Sequence, residues 1–185
     1  MALPKHTLVA LVENRPGVLN RVASLFRRRG FNIDSIAVGR CETPNLSRMT
    51  IVVDGSSATE QVRKQLDKVI DVVRVADITE EEIVARELAL IKVKANSATR
   101  SEIIQIVDIF RANIIDVAAD SLTVEVTGDE EKINSLATLL RGFGIKELAR
   151  TGRIAMARGG SNPLVVEKEI SAIRQGRKPN NRSLQ

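Results

Sequence analysis

The residues able to do chemistry in this 185-residue chain are few. His6 is the only histidine and Cys41 the only cysteine, so no second histidine exists to complete a nucleophilic triad or a tetrahedral metal site. No Walker loop, glycine-rich dinucleotide fingerprint or metal-spaced cluster is present. The run Glu80-Glu81-Glu82 reads as a solvated connector rather than an acid pair. Arg27-Arg28-Arg29 has the composition of a phosphate patch, but three cations at a helix end also complement the helix dipole and face water, and that reading is preferred. With four aromatic residues, all phenylalanine, there is no base-stacking platform, and no helix-turn-helix signature accompanies the basic charge. No catalytic constellation is visible among these residues.

The binding chemistry centres on Asn14-Arg15-Pro16-Gly17, a turn that feeds directly into a helix starting at Val18-Leu19. Such a junction leaves the first backbone N–H groups of the helix without intrahelical partners, and these attract a carboxylate. Gly17 allows close approach. Asn14, and Asn32 further on, each offer a donor and an acceptor suited to an ammonium or a carboxylate. On turn chemistry alone an ordinary helix-capping turn is the simpler account of Asn14–Gly17, and a turn residue explains Asn32 equally well. Val18, Leu19 and Ile33 already fit a core by apolar periodicity.

Those residues must be positioned by regular elements. Thr7–Val12 is β-prone; Val18, Val22 and Phe26 recur every four positions on a helix over 18–29 that Gly30 ends; Ile33–Arg40 is a second strand. Met49, Ile51 and Val53 alternate along a third strand, Val62, Leu66 and Val69 mark a short helix, and Val72–Ala76 is a fourth strand. Past the acidic connector the order recurs. Leu88–Val93, a helix carrying Ile103, Ile106, Val107 and Phe110, strands at Ile114–Ala118 and Leu122–Val126, a helix carrying Ile133, Leu136, Ala137 and Leu140, and an extended stretch over Ile145–Ala157 complete it. The fold class is therefore α+β, with two ferredoxin-like βαββαβ domains in tandem over 1–79 and 80–158. Each domain leaves one sheet face for a partner, and domains of this size gain from association, so a homodimer is expected.

A hydrophobic fraction of 43% suits a globular chain, and no apolar run approaches the roughly 18 residues needed to span a bilayer. The start of the chain lacks a signal peptide's apolar stretch, and a single cysteine fits a reducing compartment, so a location in the cytoplasm or the equivalent organelle stroma, and no membrane association, are expected. Of the net charge of +5, the stretch 159–185 carries +3, with Lys168, Arg174, Arg177, Lys178 and Arg182 against Glu167 and Glu169. That stretch, opened by Gly159-Gly160-Ser161-Asn162-Pro163 and with only a short helical segment between Leu164 and Arg174, is expected to be a mobile tail.

Four stretches in this order carry a resemblance: Val12-Glu13-Asn14-Arg15-Pro16-Gly17-Val18-Leu19, Phe26-Arg27-Arg28-Arg29-Gly30-Phe31-Asn32-Ile33-Asp34-Ser35-Ile36, Leu46-Ser47-Arg48-Met49-Thr50-Ile51, and Arg111-Ala112-Asn113-Ile114-Ile115-Asp116-Val117. Together they resemble the small, regulatory subunits of acetolactate (acetohydroxyacid) synthase, whose amino-terminal half is an ACT amino-acid-sensing domain. The match spans roughly 4–158 and leaves the tail beyond it. The resemblance implies a non-catalytic subunit without its own cofactor or metal. It would activate a catalytic subunit that carries thiamine diphosphate, magnesium and FAD, and would convey feedback inhibition in branched-chain amino acid biosynthesis. It implies a branched-chain effector, valine foremost, held between two ACT domains of a homodimer, with Asn14, Gly17, Val18 and Leu19 meeting Asn32 and Ile33 of the second protomer. The second domain would contact the catalytic subunit. The rival readings are an ACT sensor serving another enzyme or a transcriptional response, and an independent enzyme.

Overall fold

A computed structural model describes residues 5–54, 59–160 and 164. The first half runs β1 (Lys5–Glu13), α1 (Val18–Arg29), β2 (Ile33–Arg40), β3 (Leu46–Asp54), α2 (Thr59–Leu66) and β4 (Val72–Asp77). Its strands pair antiparallel in the order β2-β3-β1-β4. The second half runs β5 (Ile83–Lys94), α3 (Arg100–Ile109), β6 (Asn113–Val117), β7 (Ser121–Gly128), α4 (Glu130–Arg141) and β8 (Ile145–Arg150), in the matching order β6-β7-β5-β8, with β9 (Ile154–Ala157) also pairing β5. Both halves are ferredoxin-like, as the alternation predicts.

The period-two rows of the strands meet the period-3.6 stripes of the helices in two separate cores. In the first, Leu8, Ala10 and Val12 of β1 and Met49, Ile51 and Val53 of β3 pack with Val18, Val22, Leu25 and Phe26 of α1 and Val62 and Leu66 of α2. In the second, Ala89, Ile91 and Val93 of β5 and Leu122, Val124 and Val126 of β7 pack with Ile103 and Val107 of α3 and Ile133, Leu136 and Leu140 of α4. Gly30 (φ 69°) closes α1, with the Phe31 N–H reaching back to the Phe26 carbonyl at 3.1 Å.

Three details depart from the sequence reading. The single extended stretch expected over Ile145–Ala157 is two strands, because Gly152 (φ 81°) turns the chain between them. Strand β5 starts at Ile83 rather than Leu88; the inward row of this strand includes Glu87, whose carboxylate is buried against a bidentate Arg150 (2.6 Å for each contact) and so conceals the apolar alternation. Phe110 and Val69 lie just past the ends of α3 and α2, yet both still pack on their cores.

The chain forms two compact units, one of Ala85–Ile154 and one of Met1–Val84 together with Ala155–Gln185. Junctions expected at 79/80 and 158/159 thus sit a few residues away, since β5 is continuous from Ile83 and the chain rejoins the first unit at Ala155. There the Arg158 N–H donates to the Glu82 carbonyl at 2.8 Å, Arg48 Nη2 of β3 donates to the Ala155 carbonyl at 2.7 Å, and Leu164 is buried. The tail mobility and short helix expected beyond this point fall outside the described residues. The helix-free face of the first sheet, expected to await a partner, carries Thr7, Val9, Leu11, Thr50 and Val52, all already buried within the chain. That of the second sheet stays accessible and polar, with a groove of about 250 Å³ lined by Leu90, Lys92, Asp116, Thr123, Glu147 and Ala149.

Candidate effector-binding site

Strand β1 ends at Glu13 and delivers the chain into the turn that starts α1. The turn is fixed from three sides: the Glu13 N–H donates to the Asp71 carbonyl (2.9 Å), the Asn14 N–H to the Asn45 carbonyl (2.8 Å), and the Arg15 N–H to the Glu13 carbonyl (3.1 Å). Gly17 then adopts φ 88°, a left-handed conformation suited to glycine, as the residue preceding the helix. No side chain caps α1 at that position, and the first intrahelical bond runs from the Arg21 N–H to the Gly17 carbonyl at 3.0 Å. The N–H groups of Val18, Leu19 and Asn20 therefore lack the partners that helix geometry denies them. A Cβ built on Gly17 meets nothing within 4 Å, so the space in front of the turn is open.

The corresponding loop of the second unit is closed. Oδ1 of Asn96 accepts from the N–H groups of Ala98 and Thr99, both at 2.9 Å, and from the Thr99 hydroxyl at 3.1 Å. Asp129 likewise caps α4, accepting from the Lys132 N–H at 2.8 Å. A side chain thus caps α4, while at α3, whose N-cap residue Thr99 makes no side-chain cap bond, Asn96 instead ties up the loop N–H groups just ahead of the helix.

The structure places Asn14, Gly17 and Leu19 on the surface at one end of α1, with Leu19 half exposed. Val18 sits in the first core at 3% exposure, so only its backbone is available to a ligand. Asn32 and Ile33 lie past the other end of the helix, about 18 Å away for twelve residues at 1.5 Å each. Asn32 is exposed, its Nδ2 donating to Asp54 at 3.3 Å, while Ile33 opens the edge strand β2 and packs partly on the core. One chain does not bring the two groups of residues together.

The charges beside the turn escaped the sequence reading. Asp71 is fully buried, and both its carboxylate oxygens take guanidinium groups: Arg15 through Nε at 3.0 Å and through Nη2, and Arg21 through Nη1. Burial pushes this carboxyl up, but the two arginines outweigh it and hold it below the ordinary aspartate range. Glu13 adds a contact to Arg15 Nε at 2.7 Å. No local motif marks Asp71, because its partners lie 50 and 56 residues away.

His6 and Cys41 make local polar contacts. His6 Nδ1 lies 3.4 Å from Asp77 beside Thr79, and the Cys41 thiol donates to the Thr43 carbonyl at 3.7 Å. Arg27, Arg28 and Arg29 are exposed in the last turn of α1. Among the described residues no group of three or more His, Cys, Asp or Glu side chains is placed to hold a metal ion, and no helix is long and apolar enough to cross a membrane.

Two ferredoxin-like units with this turn define a regulatory protein of the ACT class, and residues 8–74 match the family model described as an AHAS small subunit-like ACT domain. Residues 86–159 match the model for the small subunit of acetolactate synthase. A probable acetolactate synthase small subunit from Archaeoglobus fulgidus is 58% identical over 156 residues, covering 84% of this chain and 98% of that one. The acetolactate synthase small subunit of Bacillus subtilis is 50% identical over 171 residues, covering 91% and 99%. The crystal structure of the acetolactate synthase small subunit from Thermotoga maritima superposes with a TM-score of 0.78 at 45% identity, over 85% of this chain and 99% of that one. The chain belongs to the acetolactate synthase small-subunit family, the regulatory subunits with ACT domains.

Proposed function

We propose that this chain is the non-catalytic regulatory subunit of a thiamine-diphosphate-dependent acetolactate synthase of the cytoplasm, activating the catalytic subunit and making it sensitive to a branched-chain amino acid, valine foremost. The observation that carries the reading is the open, uncapped start of α1 behind Gly17. An effector carboxylate there completes the hydrogen bonding that a capping side chain supplies elsewhere, with the helix dipole in its favour.

The other half of the site comes from a second copy. Asn32 and Ile33 lie past the far end of α1, too distant to reach the same ligand, whereas edge strand β2 can present them to the turn of another protomer in a homodimer. Asn14 and Asn32 bind the polar ends of the amino acid, and Leu19 and Ile33 cover its side chain. Burying an isopropyl group contributes about 1.5–3 kcal/mol, enough to select aliphatic effectors while separating valine only weakly from leucine or isoleucine. Thiamine diphosphate, magnesium and FAD belong to the catalytic subunit, which the second domain contacts. Linkage is reciprocal: if valine weakens the active complex, forming that complex weakens valine binding by the same factor.

The test is acetolactate formation from pyruvate by the cognate catalytic subunit, with and without this chain, across a valine titration. Activation together with valine sensitivity supports the reading, and Gly17→Asp, which places a carboxylate where that of the effector binds, abolishes the inhibition in a folded subunit. Retained inhibition in that variant rules out the site; an isolated chain that turns over pyruvate rules out the regulatory role.

A further inference from the structure

Asp71 precedes β4 and is wholly buried, and its carbonyl and carboxylate reach the chain on both sides of the turn. Its carbonyl accepts from the Glu13 N–H at 2.9 Å, just past the register shift of the β1–β4 ladder between Leu11 and Val12. Its carboxylate holds Arg15, two residues before Gly17, and Arg21, four residues after it. One residue thus ties both flanks of the turn to the sheet.

We propose that Asp71 is the positioning residue of the effector site, touching no effector but aiming the uncapped N–H groups of α1 by locking the Asn14–Gly17 turn to the helix it feeds. This assignment rests on the effector reading above. Charge-assisted bonds to a dehydrated carboxylate are short and directional, which is what a preformed anion cradle needs from its support. The arginines are about half exposed, so without Asp71 they turn to water and the fold survives while the turn loosens. A looser turn must be ordered by the ligand at binding, and affinity falls.

The experiment measures the valine concentration giving half-inhibition of the complete complex of catalytic subunit and this chain, for the wild type, Asp71→Asn, Arg15→Gln and the double variant. Asp71→Asn raises that concentration about tenfold, as expected when charge-assisted bonds are lost from a preorganised site. Arg15→Gln raises it less, and the double variant is no worse than Asp71→Asn alone, since both changes break one linkage. If Asp71→Asn does not fold, Arg15→Gln with Arg21→Gln, both at half-exposed positions, carries the test and reproduces the shift. In a responsive complex, an unshifted Asp71→Asn, an unshifted arginine pair, or effects that multiply in the double variant overturn the assignment of Asp71 alone. A wild-type complex indifferent to valine overturns the effector reading and this assignment with it.

Discussion

Gly17→Ala separates backbone conformation from space at the turn. The glycine has φ 88°, and a Cβ there meets nothing within 4 Å, so no steric term is added and the cost is conformational. A left-handed L-residue costs about 1–2 kcal/mol. The narrower unfolded ensemble of alanine returns about 0.4–1 kcal/mol, leaving a net loss of about 1 kcal/mol. With a urea dependence of about 2 kcal/mol per molar, the midpoint of the first unit falls by about 0.5 M. If the turn relaxes instead of carrying the strain, the same 1 kcal/mol appears as roughly fivefold weaker valine binding. Urea unfolding followed by circular dichroism, with valine calorimetry beside it, reads both. An unchanged midpoint with unchanged affinity means the left-handed conformation is not required. A loss above about 3 kcal/mol means that a neighbour fills the space in front of the turn, and either result refutes the reasoning.

Two further outcomes follow from the contrast between the loops and from the charge on Asp71. Because Asn96 occupies the N–H groups of the loop ahead of α3, calorimetry of the protein gives one valine per chain on the proposed reading, and Asn96→Ala lowers the stability of the second unit by about 1 kcal/mol without changing that ratio; two per chain would show the second loop to be open. The Asp71 carboxyl is held below its unfolded value, so its stabilising effect is complete above the ordinary aspartate pKa of about 3.9 and is lost as pH falls through the lower folded value. Urea midpoints measured down through that range therefore decline less steeply in Asp71→Asn than in the wild type.

Local signals made most of the fold legible. Val18, Val22 and Phe26 with Gly30 mark α1 and its end, and the alternation of Met49, Ile51 and Val53 marks β3. Long-range pairing hid the rest. Glu87 looks like a surface residue until Arg150, 63 positions on, is seen to hold it, which hides the first part of β5 from its alternation. Asp71 between Ile70 and Val72 gives no hint of Arg15 and Arg21. At the site, spacing pointed to the Asn14–Gly17 turn but could not tell an open helix start from a capped one. That distinction depends on which side chains fold back onto the helix start, as Asp129 does at α4 and none does at α1.

The first unit is discontinuous, interrupted by the 70 residues from Ala85 to Ile154, and this bears on how the protein is born. At about 5–20 residues per second, a ribosome needs roughly 4–14 s to synthesise the intervening stretch. During that interval β1 to β4 are already available, but Arg48 has not met the carbonyl of Ala155 that satisfies it in the finished fold. The second unit, uninterrupted, can fold as soon as it clears the exit tunnel. Maturation of the nascent chain therefore closes the first unit last, after the unit whose sequence lies inside it.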